Sequence, residues 1–262
     1  MLAENELVNR VVEDGFVVTD TPLDAELLRS IECRNNEIIG LWSDRAWPVG
    51  AHPLAMQFGM MGEIVHALAE RPEFLSLARA ILKTEEVFVG CCGIGNTIDM
   101  IADIDRPRRA VYWHSTPGLD PSPHGPLRQV ALRFPIDEHD LDVGMLHILP
   151  GTHRQPKEDV VKMFKEVLPK SPDFLEWRGE LYGSHPAEVR LPLKTDEMLV
   201  WTPDVWHCTG ETRVARKRRA LTWIYFPRGG RFRDRSYLLS EFPEVIAMWS
   251  NARRSLWGLE GR

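Results

Sequence analysis

From Glu85 to Arg228 the chain breaks into short runs rich in β-branched and aromatic residues, and this rhythm restricts the fold more than any other feature. The runs are EEVFVGCCGIG, AVYWHST, LRQVALRFPI, GMLHILPG, AEVRLPL, EMLVWTP and RRALTWIYFP, separated by clusters of Gly, Pro and Asp. Short strands with turn residues at such spacing predict an antiparallel sandwich or barrel. One helical insertion interrupts them at KEDVVKMFKEVL and extends over about residues 157–178. The first third reads differently. Glu4 to Glu13 has helical spacing, GFVVTD reads as a strand, and LDAELLRSIECRNNEIIGLW follows the TDTP start signal as a helix. MGEIVHALAE and PEFLSLARAIL are two more helices, with Pro72 suited to a first turn. The expected layout is one domain over 1–262: helical support over 1–84, a β core over 85–228, and a C-terminal helix within 229–262 on EFPEVIAMWSNARRSLW. A hydrophobic fraction of 44% is ample for one core of this size.

Composition removes several function classes. No run of about 18 apolar residues is present, so no membrane span is expected. The acidic stretch after Glu4 does not resemble a secretory signal. A formal charge of −6 argues against a general nucleic-acid binder. The four cysteines, Cys33, Cys91, Cys92 and Cys208, form no CxxC pair, which points to a reduced, cytoplasmic protein without a disulfide framework or thiolate zinc site. GIGNT has too few glycines in register for a phosphate loop. The acidic stretches 99–105 and 137–142 read as loops between strands.

Two histidines carry the chemical signal. His114 and His207 each follow a tryptophan, Trp113 and Trp206, at the end of an aromatic-rich run. Residues i and i+2 of a strand share a face, so a His-x-Asp pair with a distant histidine would present two nitrogens and an oxygen to one ion. That 2-His-1-carboxylate face suits ferrous iron with open positions. Here Thr116 stands where the carboxylate would be. Arg218, eleven positions beyond His207, opens the next strand, and an arginine fork there could pair with a dicarboxylate. Thr209 shares the face of His207 if the strand continues. Gln129, Arg133 and Tyr225 are candidates to line the interior with Trp113, although period-two alternation alone does not fix which face points inward.

Three segments together resemble the phytanoyl-CoA dioxygenase family, the iron(II)- and 2-oxoglutarate-dependent oxygenases that include ectoine hydroxylase. YWHST is similar to the first ligand segment, GMLHILPGTHR to the Gly-x-Leu…Pro-Gly-Ser/Thr-His strand and turn, and WHCTGETRVARKRRALTWIYFP to the second histidine with its later arginine. The resemblance spans roughly Gly15 to Arg228. It implies a double-stranded β-helix (jelly roll, cupin-like) with helices on one sheet. It also implies Fe(II) on His114 and His207, with 2-oxoglutarate held by Arg218 and assisted by Thr209. Gly151 and His153 become members of a structural turn, and the substrate is a small molecule. Either a homodimer or a heteromeric partner fits the resemblance. Thr116 departs from the family pattern and leaves four readings. An exogenous anion such as chloride fills the third position, as in halogenases; a second carboxylate, first Asp120, replaces the lost one; the site performs a non-oxidative isomerisation or elimination; or the protein is a catalytically silent binding or partner protein.

Overall fold

Residues 3–43, 62–96, 110–116, 127–214, 216–227 and 239–259 are described by a computed structural model of the chain. Asp120 and the acidic stretch 99–105 lie outside them. Helices α1 (Glu4–Asp14), α2 (Ala25–Ser43), α3 (Glu63–Ala69) and α4 (Pro72–Leu82) surround the first strand, β1 (Phe16–Asp20). The β core follows as β2 (Val87–Asn96), β3 (Val111–His114), β4 (Val130–Pro135) and β5 (Leu146–Ile148). Helix α5 (Lys157–Val167) and the hairpin β6 (Leu175–Trp177)–β7 (Glu180–Tyr182) come next, then β8 (Val189–Leu191), β9 (Glu197–Trp201), β10 (His207–Thr209) and β11 (Arg219–Pro227). Two short helices, α6 (Pro243–Ala247) and α7 (Asn251–Leu256), close the chain.

The strands form a five-stranded sheet, β1-β9-β4-β11-β2, and a four-stranded sheet, β3-β10-β5-β8, with every pairing antiparallel. Leu199, Trp201 and Ala131 of the larger sheet pack with Leu146, Ile148 and Leu191 of the smaller one, so the two inner faces share one apolar filling. This is the jelly roll. The outer face of the larger sheet carries Val130, Leu132, Phe134, Leu221, Trp223 and Tyr225 against Val11, Ile31, Phe74 and Ile81 of the helices. Trp223 is fully buried between Phe74, with ring centroids 5.6 Å apart, and Phe134, at 5.0 Å. Aromatic contacts of this kind add about 0.5–1.5 kcal/mol beyond area burial. A third cluster packs α5, through Val160 and Phe164, on Trp113, Trp206 and Cys208 at the outer face of the smaller sheet.

Two boundaries differ from the sequence reading. The insertion is not helical to about 178: α5 stops at Val167, a 3₁₀ turn covers Leu168–Lys170, and Leu175–Trp177 pairs with Glu180–Tyr182. Gly179, at φ +81°, and Arg178, at φ +52°, make the tight turn between them. The C-terminal helix is two helices, because Ser250 leaves the helical conformation and its hydroxyl accepts the Arg253 N–H to cap a new one.

Helix α2 is fixed to the core by a buried cation. The Arg219 side chain is only 3% exposed, and its guanidinium donates to Asp137 (2.8 and 2.6 Å), Glu32 (2.7 Å) and Asn36 (2.9 Å). Burial opposes ionisation of Asp137, yet the Arg219 hydrogen bonds hold its carboxyl below the ordinary value of 3.8. Removing one partner leaves the other charge desolvated, so Asp137→Ala is expected to cost about 3 kcal/mol. A carboxyl with a lowered folded pKa stabilises above its unfolded pKa and loses that contribution as pH falls through the folded value. Chemical denaturation of wild type and variant should therefore give a stability gap at pH 7 that narrows below pH 3.8; a gap independent of pH would refute the ion-pair account.

Candidate metal centre

The two histidines meet because β3 and β10 are neighbours. His207 stands directly opposite His114 in the ladder, and the ring centroids are 4.3 Å apart. His114 ends its strand as expected, whereas His207 begins β10 instead of ending a strand. The Pro-Gly-Thr-His segment explains how that start is fixed. Gly151 adopts φ +74°, which turns the chain into a 3₁₀ turn over Thr152–Arg154. The Thr152 hydroxyl then donates to the Leu149 carbonyl (2.8 Å) and accepts the Trp206 N–H (2.9 Å), while Leu149 N–H donates to Trp206 O (2.9 Å). His153 donates from Nε2 to Val12 O (3.1 Å), tying the turn to α1. The backbone one residue before His207 is therefore held on both sides.

Each imidazole is oriented by its own strand. His114 Nδ1 lies 2.8 Å from Tyr112 O, and His207 Nδ1 lies 2.7 Å from Val205 O. A carbonyl only accepts, so both Nδ1 atoms carry the proton and each lone pair sits on Nε2. This is the tautomer a metal-binding histidine needs, with the other nitrogen anchored. Trp201 meets the His207 ring edge-on at 4.7 Å. Burial first, then His114 and Arg133, pushes the His207 pKa down to about 3, so its ring is neutral at physiological pH.

Thr209 lies on the same face of β10 as His207; they pair with Leu146 and Ile148, both members of the interior cluster. Arg218 is buried just ahead of β11, on the face of Ala220 and Ile224, and Ile224 packs on that same cluster. Arg133 shares the interior face of β4 with Ala131. Gln129 is buried, and its amide donates to the Thr116 carbonyl and to Asp204 Oδ1 (3.0 Å). Thr116 N–H donates to Pro203 O (2.8 Å), so the main chain at that position is held from two sides. Two candidates point elsewhere. Trp113 faces α5, at 5.2 Å from the Phe164 ring, and donates to Gly183 O, away from the side of His114. Tyr225 faces the helices and donates to Ala69 O (2.7 Å). Among the described residues, no three His, Cys, Asp or Glu side chains are grouped to hold a metal.

Three contributors escaped the sequence reading. Thr152 was signalled by its place in the Gly-Thr-His turn. Asp204, three positions before His207, had no distinguishing spacing. His139 sat in an acidic run that reads as a turn; it is buried, and burial followed by Arg218 and Arg133 lowers its pKa well below the ordinary value.

A jelly roll with a cross-strand histidine pair facing its interior from one sheet and a buried arginine at the inner face of the other matches the scaffold class of non-haem iron enzymes. The comparisons give the family: the phytanoyl-CoA dioxygenase (PhyH) profile matches residues 11–220. The chain belongs to this family of Fe(II)/2-oxoglutarate-dependent oxygenases and related enzymes. No curated protein matches the sequence. Among solved structures, AviO1 from Streptomyces viridochromogenes Tue57 is similar at 17% identity and a TM-score of 0.60, over 88% of this chain and 98% of that one. The non-haem α-ketoglutarate-dependent epimerase SnoN of nogalamycin biosynthesis matches at 17% identity and 0.57, over 86% and 83%. EctD from S. alaskensis, solved with 2-oxoglutarate and 5-hydroxyectoine, matches at 14% and 0.59, over 88% and 78%. At these identities the likeness concerns the fold. No described helix is long and apolar enough to cross a membrane.

The histidines also predict an acid response. Burial is the leading cause that lowers His139, His153, His185 and His207 below 6.5. Unfolded, all four would take up protons near 6.5, so the metal-free protein should lose stability as pH falls from 6.5 toward 3. The midpoint of thermal unfolding should fall less steeply over that range in His207→Leu; equal slopes would show that His207 is not a buried neutral base.

Proposed function

We propose that the chain is an Fe(II)/2-oxoglutarate-dependent enzyme that transforms a small molecule inside the jelly roll, with two protein imidazoles and no aspartate at the third family position. The observation that carries this reading is the His207–His114 cross-strand pair with both Nδ1 atoms anchored on carbonyls. The donor set fits a divalent iron: two imidazoles facing each other across one ladder, with ring centroids 4.3 Å apart, would leave positions for a chelating cosubstrate. Bound iron would supply oxidation coupled to decarboxylation of 2-oxoglutarate by dioxygen.

The protein's own residues supply the rest. His114 and His207 hold the ion, and Arg218 receives the distal carboxylate in a bidentate pair, with the Thr209 hydroxyl beside it. Trp201, Leu199 and Ile148 keep the cavity wall apolar, which excludes water and strengthens every polar contact inside. The neutral Thr116 supports a second reading, in which an exogenous anion completes the coordination and is transferred to the substrate. The epimerase and the hydroxylase among the structural neighbours are both consistent with this scaffold hosting more than one outcome.

Anaerobic titration with ferrous iron and 2-oxoglutarate tests the reading. Binding near one equivalent, with the visible charge-transfer band of a chelated 2-oxo acid, is expected; no iron retention would sink it. Arg218→Ala should weaken 2-oxoglutarate binding by about 1.5–3 kcal/mol. Thr116→Asp should raise iron affinity, because a carboxylate is a far better ligand for a hard cation than a hydroxyl. Unchanged affinity would place the third ligand elsewhere, and Asp120→Ala would then be measured.

A further inference from the structure

We propose that Arg133 is a second carboxylate-binding residue of the interior, which holds the metal-proximal, 2-oxo-acid end of the cosubstrate while Arg218 holds the far end. The inference rests on the function proposed above and assigns a role that the histidine pair and Arg218 do not contain.

Arg133 lies on the inward face of β4, across the ladder from Leu199 on β9 and Thr222 on β11. A guanidinium placed among Ala131, Leu199 and Trp201 needs a partner, since an unpaired buried charge is among the most expensive features a core can contain. Arg219 shows how this chain satisfies such a group, with Asp137, Glu32 and Asn36 around it. Arg133 has none of this. No hydrogen bond or ion pair reaches it among the described residues, and its buried Nε has no acceptor. Its Nε is enclosed while the residue as a whole keeps some accessible surface, so a ligand can reach part of the side chain. Burial alone lowers its pKa to about 10, which keeps it fully charged at neutral pH.

Its position selects the kind of partner. On one side Arg133 pairs with Leu199, two residues from Trp201, whose ring meets His207; on the other it pairs with Thr222, four residues beyond Arg218 on the same face of β11. A ligand that stretches from the histidines to Arg218 therefore passes alongside it. Thr116 adds no charge, and among the described residues no carboxylate joins the two histidines. A bare cation at Arg133 would repel a divalent metal there. A ligand carboxylate lying between the metal and the guanidinium removes the conflict, because it can bind both. With no aspartate at position 116, the ligand carboxylate is the negative charge that would balance both the metal and the guanidinium.

Binding measurements separate this assignment from its alternatives. Calorimetry with the full chain loaded with Mn(II), a redox-silent probe, compares 2-oxoglutarate with the monocarboxylate 2-oxobutyrate. Wild type should bind both, and Arg218→Met should lose affinity for 2-oxoglutarate only. Arg133→Met should weaken both ligands by a similar factor, about 10- to 100-fold, with Mn(II) affinity in the absence of 2-oxo acid equal or higher. Arg133→Lys, which keeps the charge but not the fork, should recover part of the loss and serves as the folded variant if methionine disturbs the core. If Arg133→Met binds both ligands as wild type does, the assignment is overturned. Loss confined to 2-oxoglutarate would also overturn it, by placing Arg133 with Arg218 at the distal end. A wild type that binds Mn(II) but neither 2-oxo acid would overturn the proposed cosubstrate and this inference with it.

Discussion

Consecutive residues of a strand point to opposite faces, and at Arg218 and Arg219 this constraint decides the architecture. Arg219 projects outward and is enclosed by Asp137, Glu32 and Asn36, which fastens helix α2 to the larger sheet. Arg218 projects inward, onto the face shared with Ala220 and Ile224. One position of slippage in β11 would reverse both directions, turning Arg219 away from Asp137, Glu32 and Asn36 and Arg218 away from the interior. The ladders of β11 with β2 and β4 fix that register over nine and six pairs respectively. The support for the helices and the polarity of the cavity are thus two consequences of one alignment.

The same alternation organises the smaller sheet. His207 and Thr209 face inward, while Cys208 between them joins Trp113 and Phe164 under α5. Burial raises the Cys208 thiol well above its ordinary pKa, so it stays protonated and inert although it adjoins His207. The insertion α5 has a comparable part to play on the outside. By covering Trp113 and Trp206, it makes rigid the two strands whose neighbouring residues are the histidines. Side chains on strands that are packed on both faces are held in place before any ligand binds.

Much of this was legible in the chain, and the remainder had physical reasons for being hidden. The core strands announced themselves through β-branched and aromatic runs between turn residues. The β6–β7 hairpin did not, because LEWRGELY is short, partly exposed and follows a strongly amphipathic helix. Its turn depends on a positive φ at Arg178, a residue that gives no such signal. Within the basic run around Arg218, composition cannot separate Arg216, which is exposed, from Arg219, which is buried. Trp113 and Tyr225 were placed inside only because the facing direction was left open. Once His114 and Arg218 are set inward, odd sequence separations of one and seven send both aromatics outward. Pairwise parity was available in the sequence; the absolute direction required a third contact.

Thr116 remains the position where local and global information conflict, and the structure changes what the conflict means. If a lost carboxylate had simply loosened the site, the main chain there would have little to hold it. Instead its N–H is bonded to Pro203 O, and its carbonyl accepts from Gln129, which is itself tied to Asp204. Those bonds use backbone atoms and a glutamine from the opposite sheet, so they are indifferent to the side chain at 116. The frame that would present an aspartate is intact, and only the charge has changed. A neutral group in a preserved frame lowers the negative charge beside the histidines by one, while Arg133 stands inside with no protein partner among the described residues. Both features shift the interior in the same direction, leaving it more positive than an aspartate at 116 or a paired arginine would.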